Sequence, residues 1–158
     1  MDIALESLGR ILEHANVIGL KESTHSVFKL ARVHRLFANR INIFNGLGEA
    51  YEPMYSQLGS KGFTSTLGNI VPELSVQLHS LLSEKKFEEA FELATQIAPL
   101  SDFMDSLTGG QYIVALKHVL NRLGVCARTI RPPLIPLSPS EIKRLEQLIE
   151  SSKSTSIS

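Results

Sequence analysis

The sequence predicts an α/β protein, because short apolar runs alternate with stretches of helical periodicity along its first half. Three runs are typical of strands: residues 17–21, 41–44 and 62–67. Beyond Pro72 the strand patterns stop and only helical periodicity remains. We therefore expect about three parallel strands with intervening helices, followed by a C-terminal helical segment.

The helices follow from the spacing of apolar residues. In the first half, helices are predicted over residues 3–12, from residue 27 to about residue 34, and over 50–58. In the second half they are predicted over 72–83, 87–97, 111–123 and 139–150, with a short helical turn at 100–104. Ser138 and Glu141 have the spacing of a capping box, which marks the start of the last helix.

This pattern divides the chain into three parts: β/α units over residues 1–72, helices over 73–150 and a disordered serine-rich tail over 151–158. The 16 basic and 16 acidic residues give a formal net charge of zero, which excludes the charge pattern of a nucleic-acid-binding protein. Cys126 is the only cysteine and cannot form an internal disulfide. No apolar run reaches the ~18 residues of a membrane span, and Asp2 and Glu6 do not suit a signal peptide. We expect a cytoplasmic protein without a membrane segment.

Lys21 stands out because it ends an apolar run, in the stretch Val17-Ile18-Gly19-Leu20-Lys21-Glu22-Ser23-Thr24. An unpaired ammonium is costly in a buried strand. One interpretation is a strand that ends at the surface with a solvated lysine. The other is a nucleophile, because a lysine amine with a lowered pKa attacks a carbonyl carbon and forms a Schiff base.

The motifs around this lysine carry a resemblance to a known family. The stretch "NVIGLKEST" at residues 16–24 resembles the sixth-strand motif of the dihydrodipicolinate synthase and N-acetylneuraminate lyase family, whose members are (β/α)8 TIM-barrel enzymes. "INIFNGLGE" at 41–49 and "GFTSTLGNIVP" at 62–72 look like its seventh and eighth strands. Lys117, Gly124 and the "RPPL" stretch at 131–134 are similar to its C-terminal helical segment. The resemblance covers roughly residues 3–150.

The resemblance implies the C-terminal half of a barrel, because a whole (β/α)8 barrel takes about 250 residues and this chain has 158. It places Lys21 on the Schiff-base lysine and puts Gly46, Glu49 and Thr64 at the substrate. The implied substrate is a 2-keto acid such as pyruvate, and the implied activity is that of a lyase: aldol condensation, aldol cleavage or dehydration through a lysine imine, without a cofactor. Gly48 stands where sugar-acid lyases tend to have a polar residue, which argues against sialic acid as the substrate.

Other candidate sites have weaker support. Gly46-Leu47-Gly48 begins like a dinucleotide loop, but Tyr51 stands in place of the third glycine. The five histidines lack the close spacing of metal ligands, so no metal is predicted. Arg131 precedes two prolines and suits a structural anchor in a fixed loop.

Two functions of different class remain open. In the first, the chain is the lysine-bearing part of a Schiff-base lyase and associates with a missing N-terminal half. In the second, it is a non-catalytic barrel remnant or subunit that acts by pairing with another chain. An open parallel sheet presents unpaired edges that favour association, so we also expect a homo-oligomer or a complex with the other half. Within the lyase class, a 2-keto-3-deoxy sugar acid aldolase or dehydratase is the alternative.

Overall fold

The computed structural model describes residues 3–154. The chain divides into two compact units between Ser65 and Thr66, whereas the sequence placed the boundary between residues 72 and 73. Unit 1 holds the β/α elements and unit 2 is helical. The predicted tail residues 155–158 lie outside the described residues.

Unit 1 alternates helices with two short strands that pair in parallel. Its elements are α1 (Leu5–Ile11), β1 (Gly19–Glu22), α2 (Val27–Phe37), β2 (Asn42–Asn45), a 3-10 helix (Glu49–Tyr51) and α3 (Glu52–Gln57). The register sets Lys21 of β1 opposite Phe44 of β2. Because both strands run in the same direction, the loops that follow them leave the sheet at the same end, where the carboxyl ends of the strands lie.

The core of unit 1 lies between the sheet and its helices. Side chains from α1, α2, β2 and α3 fill it, and its buried members are Leu8, Leu12, Leu30, Val33, Ile41, Ile43 and Tyr55. Ser26 caps α2 by accepting a hydrogen bond from the Lys29 backbone N–H at 3.2 Å. Of the apolar positions that the periodicity indicated, Leu8, Leu12 and Leu30 are buried in this core, whereas Ile3, Ile11 and Val27 are exposed.

The third predicted strand, residues 62–67, is not a regular strand. In residues 3–154 the sheet has two strands, and the third segment adds only a single parallel bridge between Asn45 and Phe63. Gly62 has φ 151°, a conformation outside the ordinary strand region, and a 3-10 helix begins at Leu67. The extended segment is therefore too short for a continuous ladder, although Lys61 still donates its backbone N–H to the Ile43 carbonyl at 2.8 Å.

Unit 2 consists of helices around an apolar core. Its elements are a 3-10 helix (Leu67–Asn69), α4 (Pro72–Ser83), α5 (Phe87–Ser106), α6 (Gln111–Arg122) and α7 (Pro139–Lys153). Helix α5 contacts α4, α6 and α7, and it buries Leu93, Ile97 and Leu100. The prediction of α4 is confirmed at both ends, with Pro72 in its first turn.

Two helical predictions in unit 2 were wrong in extent. Helix α5 continues through Pro99 to Ser106, whereas the sequence predicted an end at residue 97 and a separate turn. Proline has no backbone N–H to donate, but Leu100 and Met104 continue the buried face of α5 beyond it. Helix α7 runs to Lys153, so the first residues of the predicted tail are helical. Its capping box is confirmed, with both Ser138 and Glu141 bonded as expected.

Candidate active site

Lys21 lies near the carboxyl end of β1 with an exposed side chain. It lines a groove of about 210 Å³ together with residues of α1, the loop after β1 and α2. Lys29 of α2 lines the same groove. Thr24 is a third lining residue. Its hydroxyl oxygen is buried and has no hydrogen-bond partner among the described residues. The groove is thus lined by two lysines and by the hydroxyl-bearing residues Ser23 and Thr24.

Gly46 lies directly beside Lys21, in the loop after β2. Its backbone N–H donates a hydrogen bond to the Glu22 carbonyl at 2.7 Å, which ties this loop to the end of β1. A Cβ added at Gly46 would lie 2.9 Å from Lys21 Cε and 2.9 Å from the Glu22 carbonyl oxygen, and it would also collide with Ser23 Oγ. Because the Glu22 carbonyl belongs to the backbone and cannot turn away as the lysine side chain can, this position requires glycine.

Asn45 holds the loop that contains Gly46. It is fully buried, its Nδ2 donates to the Gly48 carbonyl at 2.8 Å, and its Oδ1 accepts from the Leu47 backbone N–H at 2.7 Å. Its own backbone N–H lies 3.1 Å from Ser60 Oγ. The sequence interpretation did not single out Asn45, although an asparagine that bonds the backbone two residues later is a recognised turn former.

The other two predicted site residues, Glu49 and Thr64, lie in the segments joined by Asn45. Thr64 is exposed and donates its backbone N–H to the Asn45 carbonyl at 2.9 Å. Glu49 is buried, 1% exposed, and its Oε1 accepts a hydrogen bond from the Ser65 hydroxyl. A role of either residue toward a substrate stays a prediction.

Helix α3 contributes two buried groups that sequence reasoning missed. The Tyr55 hydroxyl donates to the Thr24 carbonyl at 2.9 Å, which fixes the loop after Lys21. Burial, followed by the charges of Glu22 and Glu52, raises the pKa of Tyr55. Burial likewise raises the pKa of Glu52 to about 7, against the lowering effect of the Asn45 and Ser60 side chains. The sequence gives no local signal for Glu52, because its burial depends on packing against the sheet.

Glu22 follows Lys21 and is buried on the helix-covered face of β1. Its Oε1 accepts a hydrogen bond from the Thr24 backbone N–H at 2.7 Å. Buried side chains therefore hold the loops after both strands: Glu22 and Tyr55 bond to the loop after β1, and Asn45 bonds to the loop after β2. Such support keeps an exposed amine in a defined position.

Among residues 3–154, no cluster of three or more histidine, cysteine, aspartate or glutamate side chains has the arrangement of a metal site. Within the same residues, no helix combines the length and the hydropathy that crossing a membrane requires.

Comparison with known proteins identifies one family. The model of the dihydrodipicolinate synthetase family matches residues 1–152. The 4-hydroxy-tetrahydrodipicolinate synthase of Gluconobacter oxydans is 29% identical over 137 residues, which are 85% of this chain and 44% of that protein. The enzyme of the same name from Gluconacetobacter diazotrophicus is 27% identical, over 94% of this chain and 49% of its own length. The chain spans about half the length of the curated relatives it matches.

Solved structures give the same picture. The dihydrodipicolinate synthase of Oceanobacillus iheyensis superposes with a TM-score of 0.87 at 25% identity, over 96% of this chain and 51% of that one. The 4-hydroxy-tetrahydrodipicolinate synthase of Methylacidiphilum fumariolicum gives 0.86 at 27% identity, over 97% of this chain and 50% of that one. The fold of this chain is thus that of about half of each of these enzymes.

Proposed function

Because the chain belongs to the dihydrodipicolinate synthetase family, we propose that it supplies the lysine-bearing part of a Schiff-base lyase acting on a 2-keto acid such as pyruvate. The observation that carries this proposal is the position of Lys21. Its amine is accessible at the carboxyl end of a parallel strand, where barrel enzymes hold their catalytic groups, and it lies against a glycine that leaves space for it.

The proposed chemistry begins with the amine of Lys21. The neutral Nζ attacks the keto carbon, the carbonyl oxygen takes up protons and leaves as water, and a protonated imine forms. The protonated imine accepts an electron pair from the adjacent carbon when that carbon loses a proton to solvent or when a carbon–carbon bond to it breaks and releases a carbonyl fragment. The resulting enamine either attacks a second carbonyl carbon, which forms a carbon–carbon bond, or takes up a proton. Hydrolysis of the product imine then releases the lysine. Gly46 and Thr64 would line the substrate with backbone groups, and Glu49 would face the second substrate.

A complete site needs a partner for β1. Within residues 3–154, β1 pairs with β2 on one edge only, and the groove with Lys21 and Lys29 extends along residues 20–24. Ile18, just before β1, is 71% exposed. An unpaired strand edge accepts another strand through backbone hydrogen bonds. We propose that a first barrel half associates here, and that homo-oligomerisation is the alternative way to cover this edge.

Trapping with borohydride tests the lyase proposal. The chain would be produced together with the N-terminal half of the Gluconobacter oxydans relative, treated with pyruvate and borohydride, and mapped by peptide mass analysis. We expect a reduced adduct on Lys21 that disappears in Lys21→Arg. Lys29→Arg is the matched control, because it removes an amine from the same groove and should leave the adduct intact.

The same experiment distinguishes the lyase from the second candidate function, a non-catalytic barrel subunit that acts by pairing. The open edge of β1 is the observation that favours it. A folded complex in which pyruvate labels no lysine, or labels one other than Lys21, rules out the Schiff-base role and leaves pairing as the function. Within the lyase class, turnover of 2-keto-3-deoxy sugar acids would identify the aldolase or dehydratase alternative.

A further inference from the structure

Among the described residues of unit 1, three carboxylic acids are buried, and one of them lacks a complete set of partners. Glu22 accepts a hydrogen bond from the Thr24 backbone and Glu49 accepts one from Ser65. Glu52 is 2% exposed, and its Oε2 has no hydrogen-bond partner among the described residues. A buried carboxylate oxygen without a partner is costly, so this position calls for a physical explanation.

The surroundings of Glu52 connect it to the candidate site. The side chains of Asn45 and Ser60 lie beside its carboxyl group and affect its ionisation. Asn45 sets the shape of residues 46–48 through its bonds to Leu47 and Gly48. Ser60 Oγ interacts with the Asn45 backbone N–H and donates to the Gly62 carbonyl at 2.7 Å. Glu52 therefore touches the two side chains that hold the loop after β2.

The protonation state of Glu52 changes what it can do there. An ionised carboxylate only accepts hydrogen bonds, whereas a neutral carboxylic acid also donates one. The neutral form avoids placing a full negative charge in a site shielded from water, near the buried Tyr55 hydroxyl. Burial therefore favours the neutral acid, and the direction of the Glu52 pKa agrees with this.

We propose that Glu52 is a positioning residue that burial keeps neutral at low pH, and that its ionisation strengthens its hydrogen bonds with Asn45 and Ser60 and thereby rearranges the loop that contains Gly46. The loop of residues 46–48 thereby responds to pH in the isolated chain. The consequence for substrate binding rests on the proposed function, because Gly46 is a candidate substrate-contacting residue only in that setting.

Several other titratable groups surround this cluster and must be separated from Glu52. They are Glu22 on β1, Glu49 and Tyr51 on the 3-10 helix, Tyr55 on α3 and His34 on α2. The His34 ring lies against Gly59, the residue before Ser60, as a Cβ at Gly59 would collide with it. His34→Gln is therefore the most informative control.

Nuclear magnetic resonance tests the proposal without any substrate. In the wild-type chain, the Glu52 carboxyl carbon is expected to titrate with a midpoint near 7, and the backbone amides of Gly46 and Leu47 are expected to shift with the same midpoint. Glu52→Gln should abolish these amide shifts, whereas His34→Gln should retain them.

Two results would overturn the proposal. One is a Glu52 carboxyl that titrates near its ordinary value of 4.5, and the other is a pair of loop amides that do not follow Glu52. If Glu52→Gln does not fold, the wild-type titration still decides, because it compares the carboxyl and the amides in the same sample. Since no pyruvate is present, a negative result here is distinct from a failure of Lys21 to form an imine.

Discussion

Within residues 3–65, unit 1 buries three carboxylic acids, Glu22, Glu49 and Glu52, whereas the buried polar side chains described in unit 2 are those of serines, Gln111 and His118. In unit 2 the Ser152 hydroxyl finds its partner inside its own helix, where it donates to the Leu148 carbonyl at 2.9 Å, whereas Gln111 and His118 bond to residues outside α6. In unit 1 Glu49 bonds across elements to Ser65, and one carboxyl oxygen of Glu52 has no partner among the described residues.

This difference indicates that unit 2 is a structural scaffold and that unit 1 holds the candidate site. Burying a carboxyl group costs much more than burying a hydroxyl, and natural proteins tolerate the cost mainly where a group has a task. Glu22 follows Lys21 in β1 and its carbonyl accepts a hydrogen bond from Gly46, while Glu49 and Glu52 lie in the helices that follow β2. The stability of unit 2 should therefore depend on apolar packing, and that of unit 1 also on pH.

The largest stability effect is expected in the core of unit 2. Ile97 of α5 is fully buried, so Ile97→Ala leaves a cavity and should lower the free energy of unfolding by about 2–5 kcal/mol. The loss should be the same at about pH 5 and about pH 8, because no ionisable group is removed. Urea unfolding measures this loss of stability, and hydrogen exchange of the α5 amides measures it within the helix. Leu123→Ala, at a position 62% exposed, is the control and should change little.

The next effect concerns Glu52 and depends on pH. Because its pKa is raised from 4.5 to about 7, the folded state holds its proton more tightly than the unfolded state does. The resulting stabilisation is complete below about pH 4.5 and is lost as the pH rises to about 7, a change on the order of 3 kcal/mol. Glu52→Gln should remove this fall in stability.

Urea unfolding across this pH range checks the Glu52 prediction. Glu73→Gln, at an exposed position of α4, should keep the pH dependence of the wild type. A wild-type stability that stays constant between about pH 5 and about pH 8 would contradict the assignment of a buried, neutral acid in unit 1.

The elements best predicted from the sequence have signals that act locally. Pro72 and the capping box of Ser138 mark the beginnings of α4 and α7, and both helices begin there. The errors arose where tertiary packing prevails. Helix α5 continues through Pro99 because its apolar face remains buried on both sides, and residues 62–67 do not form a regular strand because their backbone pairing with β2 extends only to Thr64 and a 3-10 helix begins at Leu67.

The residues of the candidate site also fall into two groups, those that local sequence signals reveal and those that depend on tertiary packing. The apolar run before Lys21 and the glycine after β2 are visible in the sequence, and the structure brings Lys21 and Gly46 into contact. The supporting residues Asn45, Glu52 and Tyr55 are not visible there, since their roles depend on which element covers them. Periodicity shows which face is apolar, but it does not show which polar group will be buried beneath a loop.

A smaller effect is expected at Gly46. In Gly46→Ala the new methyl group meets the Glu22 carbonyl and Lys21 Cε at 2.9 Å, so the loop must move, at a cost of about 1–3 kcal/mol. Gly9→Ala in α1 is the matched control, because its methyl group would lie 3.8 Å from the Phe37 ring and alanine favours helix by about 0.5–1 kcal/mol. Thermal unfolding compares the two, and equal stability of both variants would show that the loop after β2 is not tightly fitted.

The smallest effect is expected at the start of α7, where unit 2 relies on a polar cap at its surface. Ser138 Oγ accepts from the Glu141 backbone N–H at 3.2 Å, and the Glu141 carboxylate accepts from the Ser138 backbone N–H at 2.6 Å. Ser138→Ala should cost about 1 kcal/mol, whereas Ser80→Ala at an exposed position in α4 should cost less.

The hydrogen bonds from Ser138 lower the pKa of Glu141, so the cap is strongest at neutral pH and weakens as the pH falls through the folded-state pKa. Urea unfolding at neutral and acidic pH measures both quantities. A cost for Ser138→Ala that grows on acidification would contradict the reciprocal cap, because protonated Glu141 has less to lose when the serine hydroxyl is removed.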